Sequence, residues 1–91
     1  ISTTVDTDEP GQMAVVRLWP NPVKSSFRLE MRNLQAASAQ IFNSQGRLAQ
    51  ALEPGDLSDE IVVELLPGGL YYLKITTTEG KVLVVKWVKA D

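Results

Sequence analysis

The sequence predicts an all-β fold, an antiparallel β-sandwich of about seven short strands. Runs rich in β-branched, aliphatic and aromatic residues recur at intervals of roughly 8–12 residues, and Gly, Pro or Asn stands between them. Within most runs apolar residues alternate with polar ones, which is the period-two pattern of a half-buried strand. The alanine-rich run at residues 36–39 is too short to nucleate a helix alone.

The first residues of the chain differ from the rest. Residues 1–13 are polar and acidic and contain Pro10 and Gly11, so we expect an extended, mobile linker. The chain opens on Ile1 rather than methionine, and we expect it to be a piece of a longer protein. The folded domain is then expected over residues 14–91. Its first five strands are predicted at residues 14–19, 26–32, 37–43, 47–51 and 59–65.

Turn residues separate these strands. Pro20-Asn21-Pro22 predicts a stiff corner at a sheet edge, because proline cannot donate to a ladder and restricts the residue before it. Residues 43–46 predict a turn with Gly46 in the left-handed region. Residues 53–56 predict a loop, and Leu65 is expected to point inward from the strand at 59–65.

The C-terminal stretch, residues 68–89, is the strongest hairpin signal in the chain. Gly80 can supply the positive φ of the turn between its two arms. Gly69 is expected to serve the tight loop that leads into the first arm, and Tyr71 to be a core residue whose hydroxyl reaches a partner at the rim. The second arm is apolar on both faces until Lys86 and Lys89. Such a strand is either covered on both sides or leaves one apolar face exposed.

Composition excludes several classes of function. The net charge of −2 provides no dominant basic field for nucleic acid. The absence of His and Cys removes the usual general bases, thiol nucleophiles and zinc ligands, so we expect no catalysis and no cofactor. Asp56, Asp59 and Glu60 could supply oxygen ligands for calcium, but no EF-hand loop surrounds them, and an acidic, solvated loop is the better interpretation.

Two other kinds of domain remain open at this point. A carbohydrate-binding or adhesin-like sandwich would use Trp19, Tyr72 or Trp87 as stacking platforms, although tryptophans are more often core or corner residues. A structural domain would stabilise or space a neighbouring enzyme. Glycan binding by the isolated domain, or loss of the neighbour's stability on deletion, would distinguish these alternatives.

Four motifs in order resemble a known family. They are Leu18-Trp19-Pro20-Asn21-Pro22, Asn43-Ser44-Gln45-Gly46-Arg47, the run from Leu66 to Ile75, and Gly80-Lys81 followed by Lys86-Trp87-Val88-Lys89. Together they resemble the type A C-terminal sorting domain of type IX (Por) secretion-system cargo proteins of Bacteroidetes. The resemblance covers about residues 15–91.

The resemblance implies a seven-stranded immunoglobulin-like sandwich that acts as a non-catalytic export address. The parent cargo protein would lie N-terminal to it, cross the periplasm, and reach the outer membrane, the cell surface or the medium. The implied partners are the type IX translocon, outer-membrane shuttle proteins and a cell-surface sortase. The sortase commonly cuts the linker, here within residues 1–14, and attaches the cargo to anionic lipopolysaccharide.

Translocon recognition is expected at the terminal motif. In this chain the residues expected to be recognised by the translocon are Gly80, Lys81, Lys86, Trp87, Val88 and Lys89. The residues expected to serve the structure of the family are Pro20, Asn21, Pro22, Gly46, Gly69 and Tyr71. We expect deletion of Lys86–Asp91 to abolish export and leave most of the sandwich folded. Apolar edges of this kind also pair with copies of themselves, which leaves an edge-paired dimer open.

Overall fold

Two antiparallel sheets form the sandwich, as the sequence predicts. A computed structural model describes residues 3–9, 12–58 and 60–90, and the side chains of 15–57 and 60–90. The strands in the described residues are β1 Thr3–Glu9, β2 Gln12–Trp19, β3 Ser26–Arg32, β4 Ala36–Asn43, β5 Leu48–Leu52, β6 Ile61–Val62, β7 Gly69–Thr77 and β8 Val82–Lys89. A 3₁₀ helix, Pro54–Ser58, lies between β5 and β6.

The first sheet has the order β1-β2-β3-β6 and the second β5-β4-β7-β8. In the first sheet β2 and β3 pair from Val15 opposite Arg32 to Trp19 opposite Arg28. In the second sheet β7 is central and pairs with β4 on one side and β8 on the other. The last strand of the chain is therefore an edge strand.

The β7–β8 hairpin confirms the strongest sequence prediction. Its arms pair from Gly69 opposite Lys89 to Thr76 opposite Val82, and Gly80 has a φ of 86° in the turn between them. Gly46 has a φ of 80° in the β4–β5 turn, where the Asn43 side chain accepts hydrogen bonds from the backbone N–H groups of Gln45 and Arg47. Both turns need the left-handed backbone that glycine adopts without steric cost.

One apolar core lies between the sheets. Period-two alternation supplies much of it, because every second residue of β7 and β8 is buried between the sheets, as are Val16 and Leu18 of β2 and Ala39 and Ile41 of β4. Its largest fully buried side chains are Trp87, Phe27, Leu18, Ile41, Leu57, Leu73 and Ile75. Leu57, on the 3₁₀ helix, was missed by the sequence analysis because its segment has no strand periodicity.

The structure differs from the sequence predictions at two places. Thr3–Glu9 pairs with β2 along its length and extends the first sheet, in a segment for which an extended, mobile linker was expected. The predicted strand at 59–65 is reduced to Ile61–Val62. The N–H of Leu66 bonds to the carbonyl of Val63 and closes a turn, which leaves Leu65 97% exposed instead of buried.

Candidate functional site

The terminal strand β8 has one buried face and one exposed face. Leu83, Val85, Trp87 and Lys89 point into the sandwich, whereas Val82, Val84, Lys86 and Val88 point to solvent. The two-sided apolar pattern therefore reflects a strand that is covered on one side only. The apolar residues of the other side are exposed by 50% at Val82 and Val84 and 41% at Val88.

Trp87 is a fully buried core residue rather than a surface residue. Its ring lies 5.0 Å from that of Tyr71, nearly parallel to it, and 5.1 Å from that of Phe27. The Tyr71 hydroxyl donates to the carbonyl of Pro67 at 2.7 Å, as the sequence predicts for a tyrosine whose tip reaches the rim. Among the described residues the indole Nε1 of Trp87 has no hydrogen-bond partner. Trp87 holds β8 in place from inside.

Lys89, another residue of the expected recognition motif, is also turned inward and is only 7% exposed. Its Nζ donates to the carbonyl of Ala90 at 3.0 Å. Trp87 and Lys89 are therefore enclosed by the folded domain. Within β8, the motif residues that face solvent are Lys86 and Val88.

The proline corner binds the end of β8. The side-chain oxygen Oδ1 of Asn21 accepts a hydrogen bond from the N–H of Val88 at 3.0 Å. The N–H of Val23 donates to the carbonyl of Val88 at 2.7 Å, and the N–H of Ala90 donates to the carbonyl of Val23 at 2.6 Å. We call Asn21 and Val23 the clamp. The clamp occupies outward backbone groups of Val88 and Ala90, so this end of the edge is closed to pairing with another strand.

The clamp explains what the proline motif does. Pro20 and Pro22 are exposed, and the peptide bonds before both are cis. Asn21, which lies between the two prolines, is half-buried, and Val23, which follows Pro22, is fully buried. These two residues make the contacts with β8. Val23 was missed by the sequence analysis, because one apolar residue between Pro22 and Lys24 gives no periodic signal.

Gly80 and Lys81 lie at the opposite end of β8. Thr77 accepts the N–H of Lys81 on its Oγ1 at 3.0 Å and donates its own N–H to the Lys81 carbonyl at 2.8 Å. The N–H of Thr78 donates to the carbonyl of Gln35, which fixes the turn to the β3–β4 connection. The expected recognition residues are thus divided between two ends of one strand, about 25 Å apart at 3.3 Å per residue.

Asp56 and Glu60, two of the three acidic residues considered for calcium, contact other parts of the protein. The Asp56 carboxylate accepts the N–H of Glu53 at 2.9 Å at the start of the 3₁₀ helix, and Glu60 lies 3.8 Å from Arg28. Asp59, the third residue considered for calcium, lies outside the described residues. No group of three or more potential metal ligands occurs in the described part of the chain.

The aromatic residues weighed as sugar platforms fall in different places. Trp87 is fully buried, and Tyr72 is half-buried on the outer side of β7. Trp19 is half-buried, and the Arg17 guanidinium lies over its ring, 5.7 Å from the centroid. A sugar could stack on that side of Trp19 only if Arg17 moved away. Within the described residues no helix is long and apolar enough to cross a bilayer.

Comparison with known families decides what this arrangement is. Residues 17–90 match the family model of the secretion system C-terminal sorting domain. The chain belongs to this family. The match runs from Arg17, near the end of β2, to Ala90, just after β8, so it includes the clamp and the whole terminal hairpin with Trp87. The family is one of type IX sorting signals, not of catalysts, and its members are tails of exported proteins.

A relative with a known catalytic activity carries a similar tail. The sorting domain is 31% identical over 88 residues to the ulvan lyase NLR42 of Nonlabens ulvanivorans, a Bacteroidetes protein. The alignment covers 96% of this chain but only 16% of the lyase, so the chain spans a small part of that relative's length. No solved structure matches the sorting domain significantly.

Proposed function

We propose that this sorting domain directs its parent protein through the type IX outer-membrane translocon after passage through the periplasm. The observation that carries the proposal is the family match over residues 17–90, which includes all of the folded elements from β3 to β8. Outer-membrane shuttle proteins and the translocon would bind the folded domain. The parent protein would end on the cell surface or in the medium.

We assign recognition to the exposed side of the terminal hairpin. Lys86 and Val88 face solvent on β8, and Gly80 and Lys81 form the turn that precedes it. Trp87, Lys89 and the clamp act indirectly, because they fix where β8 lies. This division supports a domain that is recognised folded, since an unfolded tail would not display one side of β8 selectively.

Sortase cleavage and transfer of the cargo to anionic lipopolysaccharide belong to the same proposal. The expected cleavage region, residues 1–14, includes β1, which is paired with β2 from Thr3 opposite Leu18 to Glu9 opposite Gln12. A protease needs an extended segment free of sheet partners. Cleavage within β1 would therefore require β1 to separate from β2, while the domain from β2 onward stays folded.

A secretion assay tests the proposal. Residues 1–91 are fused behind a signal peptide and a fluorescent reporter in a Bacteroidetes host, with and without a working translocon. Reporter on the surface or in the medium only when the translocon works is the expected result, and the mass of the released reporter locates any cut. Reporter retained in the periplasm of both strains would contradict the export function.

A further inference from the structure

The outer face of the second sheet has an unusual charge distribution. None of the four strands β4, β5, β7 and β8 contains Asp or Glu, although the chain has 11 acidic residues. The charged residues of these strands are Lys74, Lys86 and the inward Lys89. The outer face therefore combines apolar and uncharged polar side chains with two lysines, and its strands contribute no carboxylate.

The pairing register brings the apolar residues and the two lysines together. Lys74 on β7 is opposite Val84 on β8, and Tyr72 is opposite Lys86. Lys74 and Lys86 are thus diagonal neighbours, with their Cβ atoms about 7 Å apart. Val82 and Val88 continue the exposed row on either side. We call Val82, Val84, Val88, Tyr72, Lys74 and Lys86 the docking face.

We propose that the docking face binds a protein surface whose apolar centre is bordered by carboxylates facing Lys74 and Lys86. The inference rests on the proposed export function, because the partner would be a component of the export machinery. Charge complementarity carries it, since the face offers two cations and no anion, so a matching surface must supply the anions. The three half-exposed valines supply apolar area for the centre of the contact.

Two other occupants fit the face less well. A second copy docked face to face would bring lysines against a surface that contains no acid, which disfavours a two-fold dimer here. An anionic membrane would gain only about 1 kcal/mol for each of the two lysines. Membrane insertion also favours protruding aromatic residues, and Tyr72 is half-buried in the sheet.

Charge variants in the secretion assay test the partner's chemistry. The double variant Lys74→Glu/Lys86→Glu should lower export at least about tenfold, and Lys74→Arg/Lys86→Arg should keep it near wild type. Val84→Gln should lower export about tenfold through lost apolar contact. Arg47→Glu, an exposed change in the β4–β5 turn of the same sheet, is the matched control and should have little effect. Thermal melts of the purified domains verify that each variant folds.

A zero-length carbodiimide cross-linker, which joins a lysine amine directly to a carboxylate, tests the contact itself. Applied to cells during export, the cross-linker should join Lys74 or Lys86 to an Asp or Glu of a translocon component. Mass spectrometry of the cross-linked peptides identifies the two joined residues. The arginine variant should be exported but lose this cross-link, because guanidinium does not couple. Normal export of the glutamate variant, or cross-links only at other lysines, would overturn the inference.

Failure of the inference is separable from failure of the proposed function. If the wild-type domain exports the reporter and the glutamate variant does so equally, the docking face is wrong and the export function stands. Flotation of the purified domain on phosphatidylglycerol vesicles, lost in the glutamate variant, would assign the face to a membrane instead. A salt-sensitive dimer of the wild type that is lost in the same variant would assign it to a second copy.

Discussion

Removal of the Asn21 side chain should release the end of β8 without unfolding the sandwich. In Asn21→Ala the N–H of Val88 loses its acceptor, while the two backbone bonds of Val23 to Val88 and Ala90 remain. Val88 is 41% exposed, so water can replace the lost acceptor. Loss of this partly solvated hydrogen bond should by itself lower the free energy of unfolding by about 1 kcal/mol.

Hydrogen exchange at single amides resolves this effect. The Val88 amide should exchange about fivefold to tenfold faster in Asn21→Ala, as about 1 kcal/mol requires, and the Ala90 amide should change less because its acceptor on Val23 is retained. Asn21→Asp keeps a side-chain oxygen acceptor and is the matched control. If Val88 exchanges at the same rate in the alanine and aspartate variants, the clamp does not depend on the Asn21 side chain.

Three further substitutions test other parts of the structure. Tyr71→Phe should lower the free energy of unfolding by about 1 kcal/mol, measured by urea titration, because it removes the bond to Pro67 and keeps the ring beside Trp87. Gly80→Ala should cost about 1–2 kcal/mol in the same titration from backbone strain alone, since beyond the adjacent residues no heavy atom lies within 4 Å of the added Cβ, and Gly80→Asn should cost less. Leu65→Asn should leave the midpoint of the titration unchanged, because Leu65 is exposed. A decrease in the free energy of unfolding of more than about 1 kcal/mol would instead indicate that Leu65 is buried, as the sequence predicts.

The sequence predicts the fold well wherever one face of a strand is polar. In β7 the alternation of Tyr71, Leu73 and Ile75 with less apolar neighbours places the correct set inward. The hairpin turns follow from Gly46 and Gly80, because few other residues tolerate their backbone. At Leu65 the same reasoning fails, since period two continues in the sequence after the chain has already turned.

The candidate site is less accessible to sequence reasoning. Both faces of β8 are apolar, so alternation separates two sets of residues but cannot say which set is buried. Lys89 lies on the buried side, against the usual preference of lysine for solvent. The clamp contacts join Asn21 to a residue 67 positions away, and a motif by itself gives no indication of such a distant partner.

The structure also changes what deletion of Lys86–Asp91 should do. The deletion removes Trp87, whose burial between Tyr71 and Phe27 is complete. Truncating a buried tryptophan costs about 3–5 kcal/mol in itself, against a total stability of about 5–15 kcal/mol for a small domain. The deletion additionally removes the partners of β7 from Gly69 to Tyr72 and both backbone bonds of Val23.

We therefore expect the truncated domain to be unfolded, contrary to the prediction from sequence. Circular dichroism should show no cooperative thermal transition, and Trp87→Ala alone should lower the midpoint of the full-length domain strongly. Lost export of the truncation would then report on folding and not on recognition. A cooperative melt of the truncated domain would show that the core is independent of Trp87. Surface variants such as Lys86→Glu, which leave Trp87 in place, separate recognition from folding because Lys86 is on the solvent side of the same strand.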